Sequence, residues 1–348
     1  MKQRIKQSFI CQDIKQYQTN QTLVDTHVPT VGDVAVFEVL SIGKHKTIQG
    51  TDKRLVTILP GDRIMAAFGT RYATAQFEGY VPGGICPEYH ILGAGGTVGL
   101  VASSHSRFAS AGPTTLKLVG WVTNAQGDVW NTIRQKEQLM KPFTGAISHS
   151  TRVILSVGSS MDSGKTTTAA KMVQGFSEAG YRVAFIKLTG TIYTKDCDLV
   201  YDHGAAEVAD FGLLGYPSTY LCTATQLLGL YETLMHHIKA QDKAFVVIEI
   251  ADGLYQRETE MLLRNRAFMN GIDAVVYSAG DSLSAIQGYQ VLRDMHIVPV
   301  ALSGLFTASP LLVKEVSERL YSPVLSIDEL ARGVLMQYLE MPMSVSAS

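Results

Sequence analysis

The residues best suited to chemistry lie between Val153 and Thr167, VILSVGSSMDSGKTT. An apolar run, Val153 to Val157, passes into the loop Gly158, Ser159, Ser160, Met161, Asp162, Ser163, Gly164. Lys165, Thr166 and Thr167 then begin a helical pattern. Strand, tight loop and helix in that order predict a phosphate cradle. Successive backbone amides of such a loop turn inward around an anion, and the helix adds the positive end of its dipole. Lys165 is expected to reach the β- and γ-phosphates of a nucleotide and the Thr166 hydroxyl to rest on a Mg²⁺ ion. The spacing is G-x5-G-K-T, one residue longer than the usual Walker A pattern, with Ser159 at the place of the first glycine. A carboxylate inside an anion cradle repels phosphate. Asp162 therefore either turns outward to grip Mg²⁺, a substrate amine or a partner subunit, or is a turn residue facing solvent.

Further candidates follow other apolar runs. Lys187 ends Arg182 to Lys187 (RVAFIK) and is placed to neutralise developing charge or hold an anionic substrate group. The acids Asp196, Asp198 and Asp202 come next, with Cys197 and His203 among them. Cys197, Asp202 and His203 are zinc-ligand types, but no second ligand pair accompanies them. Mg²⁺ coordination by an acid, or the ordering of an attacking group, is the better reading. Glu249 ends Ala244 to Ile250 (AFVVIEI), and Asp252 stands just beyond it. A carboxylate at the end of so apolar a strand is costly unless it meets a cation, so Glu249 or Asp252 is assigned to Mg²⁺, with Glu249 favoured. Arg257 opens a helix and either touches phosphate or lies on the surface. His236 and His237 are adjacent on a helix, so they do not share a face and form no ligand pair.

The elements that must position these residues divide into two sets. From residue 151 to 340 apolar strands alternate with helices. Strands are expected at 153–157, 182–187, 218–222, 244–250, 273–278 and 297–302, with a short one near Val324. Helices are expected at 165–179 (closed by Gly180), 227–238, 256–269, 282–295, 310–320 and 328–339. Such alternation predicts a mostly parallel sheet covered on both faces, with its ligand beyond the carboxyl ends of the strands. Residues 27–125 read instead as short β-runs between Gly, Pro and Asp turns, such as VAVFEVL (34–40) and RIMAA (63–67), and predict a smaller all-β barrel or sandwich. The glycine cluster Gly93 to Gly99 reads as a hairpin turn, because no helical pattern follows it. The loop Gly69 to Gly79, GTRYATAQFEG, mixes Arg, Tyr and Glu between turn signals and is either an ordinary exposed loop or a contact loop. Residues 1–26 read as a polar lead-in, helical or flexible, 126–150 as a connector and 341–348 as a flexible tail.

Composition limits the partners. The chain of 348 residues is 46% hydrophobic and carries a formal net charge of −1, so no overall field recruits nucleic acid or an anionic membrane. Its four cysteines form no C-x-x-C pair, which suits reduced thiols. No apolar run of spanning length occurs, and the basic N-terminal residues precede no apolar core of a leader peptide. The expected location is the cytoplasm.

The segment VILSVGSSMDSGKTTTAAKMVQGFSEAGYRVAFIK, with Lys187 after its second strand and Glu249 ending a later one, resembles P-loop NTPases of the dethiobiotin synthetase and MinD-like (SIMIBI) group. It is also similar to the molybdopterin-guanine dinucleotide biosynthesis adaptor family. Ser160 stands where MinD-like proteins have a signature lysine, and no N-K-x-D for guanine occurs. The resemblance, over about residues 151–305, implies an ATP- or GTP- and Mg²⁺-dependent enzyme that activates a small-molecule acceptor. Lys165 and Thr166 would handle phosphate, Lys187 and Asp196 would face the acceptor, and a homodimer would form. It leaves open a nucleotide-gated adaptor for cofactor or metallocentre assembly, and a transferase using the loop for another phosphorylated donor.

Overall fold

The computed structural model describes residues 4–145 and 150–339. The expected tail at 341–348 lies outside them, as do residues 1–3 and 146–149. The chain divides into two compact units, and the division is not a single cut. Unit 1 holds residues up to Met140 together with Gly190–Thr194 and Phe211–Leu221, and unit 2 holds the remainder.

Unit 1 is built from ten short strands: β1 (Ile5–Gln7), β2 (Gln18–Asn20), β3 (Val34–Ser41), β4 (Thr47–Gln49), β5 (Leu55–Thr57), β6 (Arg63–Phe68), β7 (Phe77–Tyr80), β8 (Tyr89–Gly93), β9 (Thr97–Ser104) and β10 (Thr115–Thr123). Of the two all-β forms expected, it is the barrel. β6, β3, β10, β8 and β9 pair in turn, and β9 returns to β6, closing a ring that leaves none of these five strands as a free edge. Inside it Phe37, Phe68, Tyr89 and Trp121 are fully buried, with the Phe68 and Trp121 rings stacked at 5.4 Å. The cluster Gly93 to Gly99 is the expected hairpin turn, between antiparallel β8 and β9, with Gly96 at φ +102°. The opening residues, expected as a helix or flexible lead-in, instead supply β1 and β2. β1 lies parallel to β6, and the buried Ile10, Cys11 and Ile14 follow it. Their polar neighbours hid a strand only three residues long.

A buried charge adds to this unit's stability and is lost in acid. Asp33 is wholly buried and accepts bonds from Asn131 Nδ2 and the Thr30 amide and hydroxyl, each at 2.9 Å, and from Arg134 Nη2 at 2.7 Å. His27 Nε2 lies 2.9 Å from the same carboxyl. Burial alone raises its pKa, but the bonds from Asn131, His27 and Thr30 outweigh burial and hold it below 3.8. The folded state thus binds this proton less readily than the unfolded chain. The contribution is complete above the unfolded value near 3.8 and is lost as pH falls through the folded value. Asp33→Ala is expected to cost about 3 kcal/mol near neutrality, with the difference shrinking in acid, as read by urea denaturation of both proteins across that range.

Unit 2 contains a six-stranded sheet, all parallel, in the order β13-β12-β14-β11-β15-β16. The strands are β11 (Arg152–Gly158), β12 (Val183–Lys187), β13 (Glu207–Asp210), β14 (Phe245–Glu249), β15 (Ala274–Ser278) and β16 (Ala301–Ser303). The helices are α1 (Lys165–Glu178), α2 (Lys195–Asp202), α3 (Ala224–His237), α4 (Arg257–Leu263), α5 (Arg266–Met269), α6 (Ser282–Asp294), α7 (Pro310–Ser317) and α8 (Ile327–Ala331). β12, β14 and β15 are buried at every position, which is why they read as continuous apolar runs. α1 packs Met172, Val173 and Phe176 into the same core, with Phe176 stacked on Phe245 at 4.2 Å.

Three expectations for residues 151–340 are corrected. The strand expected at 218–222 is absent; Ser218 makes only an isolated bridge to Thr191, and the sheet's edge is Glu207–Asp210. An edge strand needs few apolar residues, so EVAD gave no hydrophobic run. The helix expected at 256–269 is two, because the Asn265 side chain accepts from the Phe268 amide and starts α5. The helix expected at 328–339 stops at Ala331, and a 3₁₀ turn (Val334–Tyr338) follows Gly333, whose φ is +76°.

Candidate functional site

The carboxyl ends of the central strands bring the candidate residues together. β11 delivers Gly158 into the loop, and Lys165 opens α1. In the adjacent register, Ser156 on β11 lies opposite Glu249 on β14, which lies opposite Lys187 on β12. The loop is held from outside. The Ser159 amide donates to Ser278 O at 2.9 Å, and the Leu305 amide donates to Ser163 O at 3.3 Å. Among the described residues no backbone bond is donated by the amides from Ser160 to Thr167. The turn therefore keeps a row of donors available at a helix N-terminus, the condition for anion binding.

Close packing explains the loop's composition. A Cβ on Gly158 would lie 2.3 Å from Ser163 Oγ, and one on Gly253 would lie 2.5 Å from Ser159 O. Gly304, just after β16, has φ +106°, and a Cβ there would come within 2.6 Å of Ser163 O and of Ala279. Asp162 sits at the exposed loop tip with φ 62°. Gly304→Ala is expected to strain this support by about 1–3 kcal/mol and to lower Tm. Nucleotide affinity should fall with it; an unchanged Tm would show that the loop gives way freely.

Electrostatics concentrate on three buried charged groups. Lys165 is 7% exposed and donates from Nζ to Ser160 O at 2.6 Å. Burial lowers its pKa, against the pull of Glu249 and Asp252. Glu249 is 2% exposed; its Oε1 accepts from Thr166 Oγ1 at 3.2 Å, and its Oε2 has no partner among the described residues. Burial raises its pKa and Asp196 adds to this, while Lys187 and Lys165 oppose it. Lys187 is buried and paired with Asp196, in the first turn of α2. Burial disfavours its charge, but Asp196 and Glu249 outweigh burial and hold its pKa above the usual lysine value. Ser163 Oγ and Ser303 Oγ are also buried without a partner among the described residues.

Asp252 follows Ala251, whose carbonyl accepts from Thr189 Oγ1 at 3.0 Å and Thr259 Oγ1 at 2.8 Å, tying the loops after β12 and β14 together. Other candidates are placed elsewhere. Arg257 donates to Cys222 O at 2.9 Å and pairs with Glu258. The Cys197 thiol is buried against Ala209 O, His203 Nδ1 lies 2.8 Å from Leu199 O, and Asp202 is exposed. Among the described residues no group of three or more His, Cys, Asp or Glu is placed to hold a metal, so these do not assemble as a zinc site. His236 and His237 are exposed, with His236 3.6 Å from Glu232.

A cleft that sequence reasoning missed opens beside the loop. It measures about 290 Å³ and is lined by Gly164 and Thr167, by Gly304, Leu305 and Ala308 after β16, and by Ser326 to Asp328 at the start of α8. Its residues come from three distant segments, so no spacing in the chain signals it.

No family model and no curated protein matches the chain. Several solved structures are similar over part of it. A DUF1611 family protein from Anabaena variabilis is 14% identical over 62% of this chain and 64% of its own, with TM-score 0.41. The signal recognition particle 54 kDa protein from Aeropyrum pernix, solved with GDP, is 13% identical over 60% and 51%, with TM-score 0.40. The hydrogenase maturation factor HypB from Archaeoglobus fulgidus is 11% identical over 53% and 91%, with TM-score 0.37. The chain thus spans less than two thirds of the first two. Among the described residues no helix is long and apolar enough to cross a membrane.

Proposed function

We propose that unit 2 binds a nucleoside triphosphate at residues 158–167 and transfers or hydrolyses its γ-phosphoryl group. The observation that carries this reading is Glu249: a buried carboxylate at a strand end, one oxygen on Thr166 and the other without a partner among the described residues, beside a loop whose amides are available. An oxygen so placed is costly unless a cation completes it. Thr166 and Glu249 fit Mg²⁺, which is commonly held by one or two protein oxygens plus phosphate and water. When bound, Mg²⁺ supplies charge neutralisation on the phosphate oxygens. The amides from Ser160 to Thr167 orient the phosphates, and Lys165 leaves Ser160 O to meet them. In phosphoryl transfer such positioning and charge stabilisation are most of the catalysis.

The cleft beside Gly164 and Thr167 suits the base, with the exposed Asp328 in its lining as an acceptor for a purine amino group. Lys187 and Asp196, one strand from Glu249, favour an acceptor molecule bearing an acid or amine over simple hydrolysis. Phosphate release from ATP and GTP with Mg²⁺, repeated with a panel of small carboxylates and amines, tests the proposal. Turnover that needs Mg²⁺ and rises with one acceptor is expected. Absence of binding by either nucleotide overturns it.

A further inference from the structure

Tyr277, near the end of β15, is fully buried and lies in register with Val157, one residue before Gly158 opens the loop. Its hydroxyl donates to Ser284 O, in the first turn of α6, at 2.8 Å. A phenol has a single proton, so toward a further partner the same oxygen can only accept. The Ser159 side chain reaches it, and the serine hydroxyl is therefore the donor of that bond. Burial raises the Tyr277 pKa more than the bond from Ser159 lowers it, so the phenol keeps its proton. Ser159 is held twice more. Its amide donates to Ser278 O at 2.9 Å, and a Cβ on Gly253 would lie 2.5 Å from its carbonyl oxygen. α6 makes room for the ring: a Cβ on the buried Gly288 would lie 1.8 Å from Tyr277 Oη. Glycine weakens a helix interior, so α6 gives up stability of its own to admit this side chain. An oxygen at that depth adds nothing to packing and must be satisfied; here it is satisfied by linking two elements.

We infer that Tyr277 is a positioning residue of the phosphate loop: its hydroxyl joins Ser159 to α6 and so fixes the direction in which the amides from Ser160 onward face. The inference rests on the nucleotide reading above for the identity of the ligand, and on geometry alone for the link. Ser160 comes next in the chain, and its carbonyl is the one that Lys165 holds. A rotation at Ser159 therefore moves both the first available amide and the resting place of the lysine. An anion held by several backbone amides depends on their common direction, so a small rotation weakens all of those bonds together. Without the hydroxyl the amide and carbonyl contacts of Ser159 remain, and the loop loosens rather than unfolds.

The test is binding of non-hydrolysable ATP and GTP analogues with Mg²⁺ to the whole protein carrying Tyr277→Phe, Ser159→Ala or both, beside thermal melts. Phenylalanine keeps the ring against Gly288. Each single substitution is expected to raise the Kd about tenfold, the worth of one buried hydrogen bond. The double variant should also lose about tenfold rather than about a hundredfold, because both substitutions break the same link. A purely structural role would lower Tm and leave the Kd unchanged, and independent roles would multiply; either result overturns the inference. Hydrogen exchange of the nucleotide-free proteins supplies a readout that needs no ligand. The Ser159 amide should exchange about tenfold faster in both variants, with the β12 amides unchanged as the reference. If the wild type binds neither analogue, the function proposed above fails and the exchange comparison alone decides: equal rates in wild type and variants overturn the link.

Discussion

Lys165→Met is expected to remove nucleotide binding and at the same time to make the nucleotide-free protein more resistant to heat. Two terms of opposite sign meet at this residue. In the folded protein its ammonium is almost wholly withdrawn from water and rests on a single carbonyl, Ser160 O, and burial depresses its pKa despite Glu249 and Asp252. A buried charge with so little compensation is destabilising, and methionine keeps the stem while removing the charge. With a triphosphate present the sign reverses, because the same ammonium becomes a donor to developing negative charge. Loss of such a donor costs about 10²–10³-fold in turnover. The measurement is a pair of thermal melts, with and without nucleotide and Mg²⁺. The variant should melt higher than the wild type alone and show no ligand-dependent rise. A variant that melts lower and still binds would make Lys165 a structural residue.

That opposition explains why the loop at 158–167 stands out in the sequence as a candidate site. Gly158, Gly164, Lys165 and Thr166 are poor choices for packing, so their occurrence between an apolar strand and a helix signals a ligand. Glu249 was legible for the same reason, as a charge at the end of an apolar strand. The alternation of strands and helices in unit 2 was clear because β12, β14 and β15 are buried on both faces and α1 carries a regular apolar stripe.

Features set by distant contacts were not legible. EVAD becomes an edge strand only because β12 offers it a partner, and IKQ becomes β1 only because β6 does. Gly190–Thr194 and Phe211–Leu221 belong with unit 1 through bonds such as those that Gln49 Nε2 donates to Thr194 Oγ1 and Thr70 Oγ1 donates to Tyr220 O, which no local pattern encodes. Lys44 and Arg71 lie far apart in the chain and share the Gln76 side chain only once the barrel has closed. The cleft beside the loop has the same origin, since its lining comes from three segments far apart in the chain.

Glu249→Gln is the substitution that separates the cation from the fold. Glutamine keeps an oxygen to accept the Thr166 hydroxyl and nearly the same volume, so the apo protein should be no less stable than the wild type. Removing a carboxylate that burial and Asp196 already disfavour points the same way. What glutamine cannot do is offer a full negative charge to a divalent ion. Turnover with Mg²⁺ should therefore fall about 10³-fold, comparable to removing a principal charge-stabilising group. A second readout does not depend on activity: Mn²⁺ binding, followed by water-proton relaxation with a non-hydrolysable triphosphate present, should be strong in the wild type and lost in the variant. Asp252→Asn serves as the comparison. It stands beyond the strand rather than in the buried row with Ser156 and Lys187, so Mn²⁺ binding should largely survive. Should Asp252→Asn abolish the relaxation signal and Glu249→Gln retain it, the metal assignment moves to Asp252, and the buried, half-partnered carboxylate at the end of β14 requires another explanation.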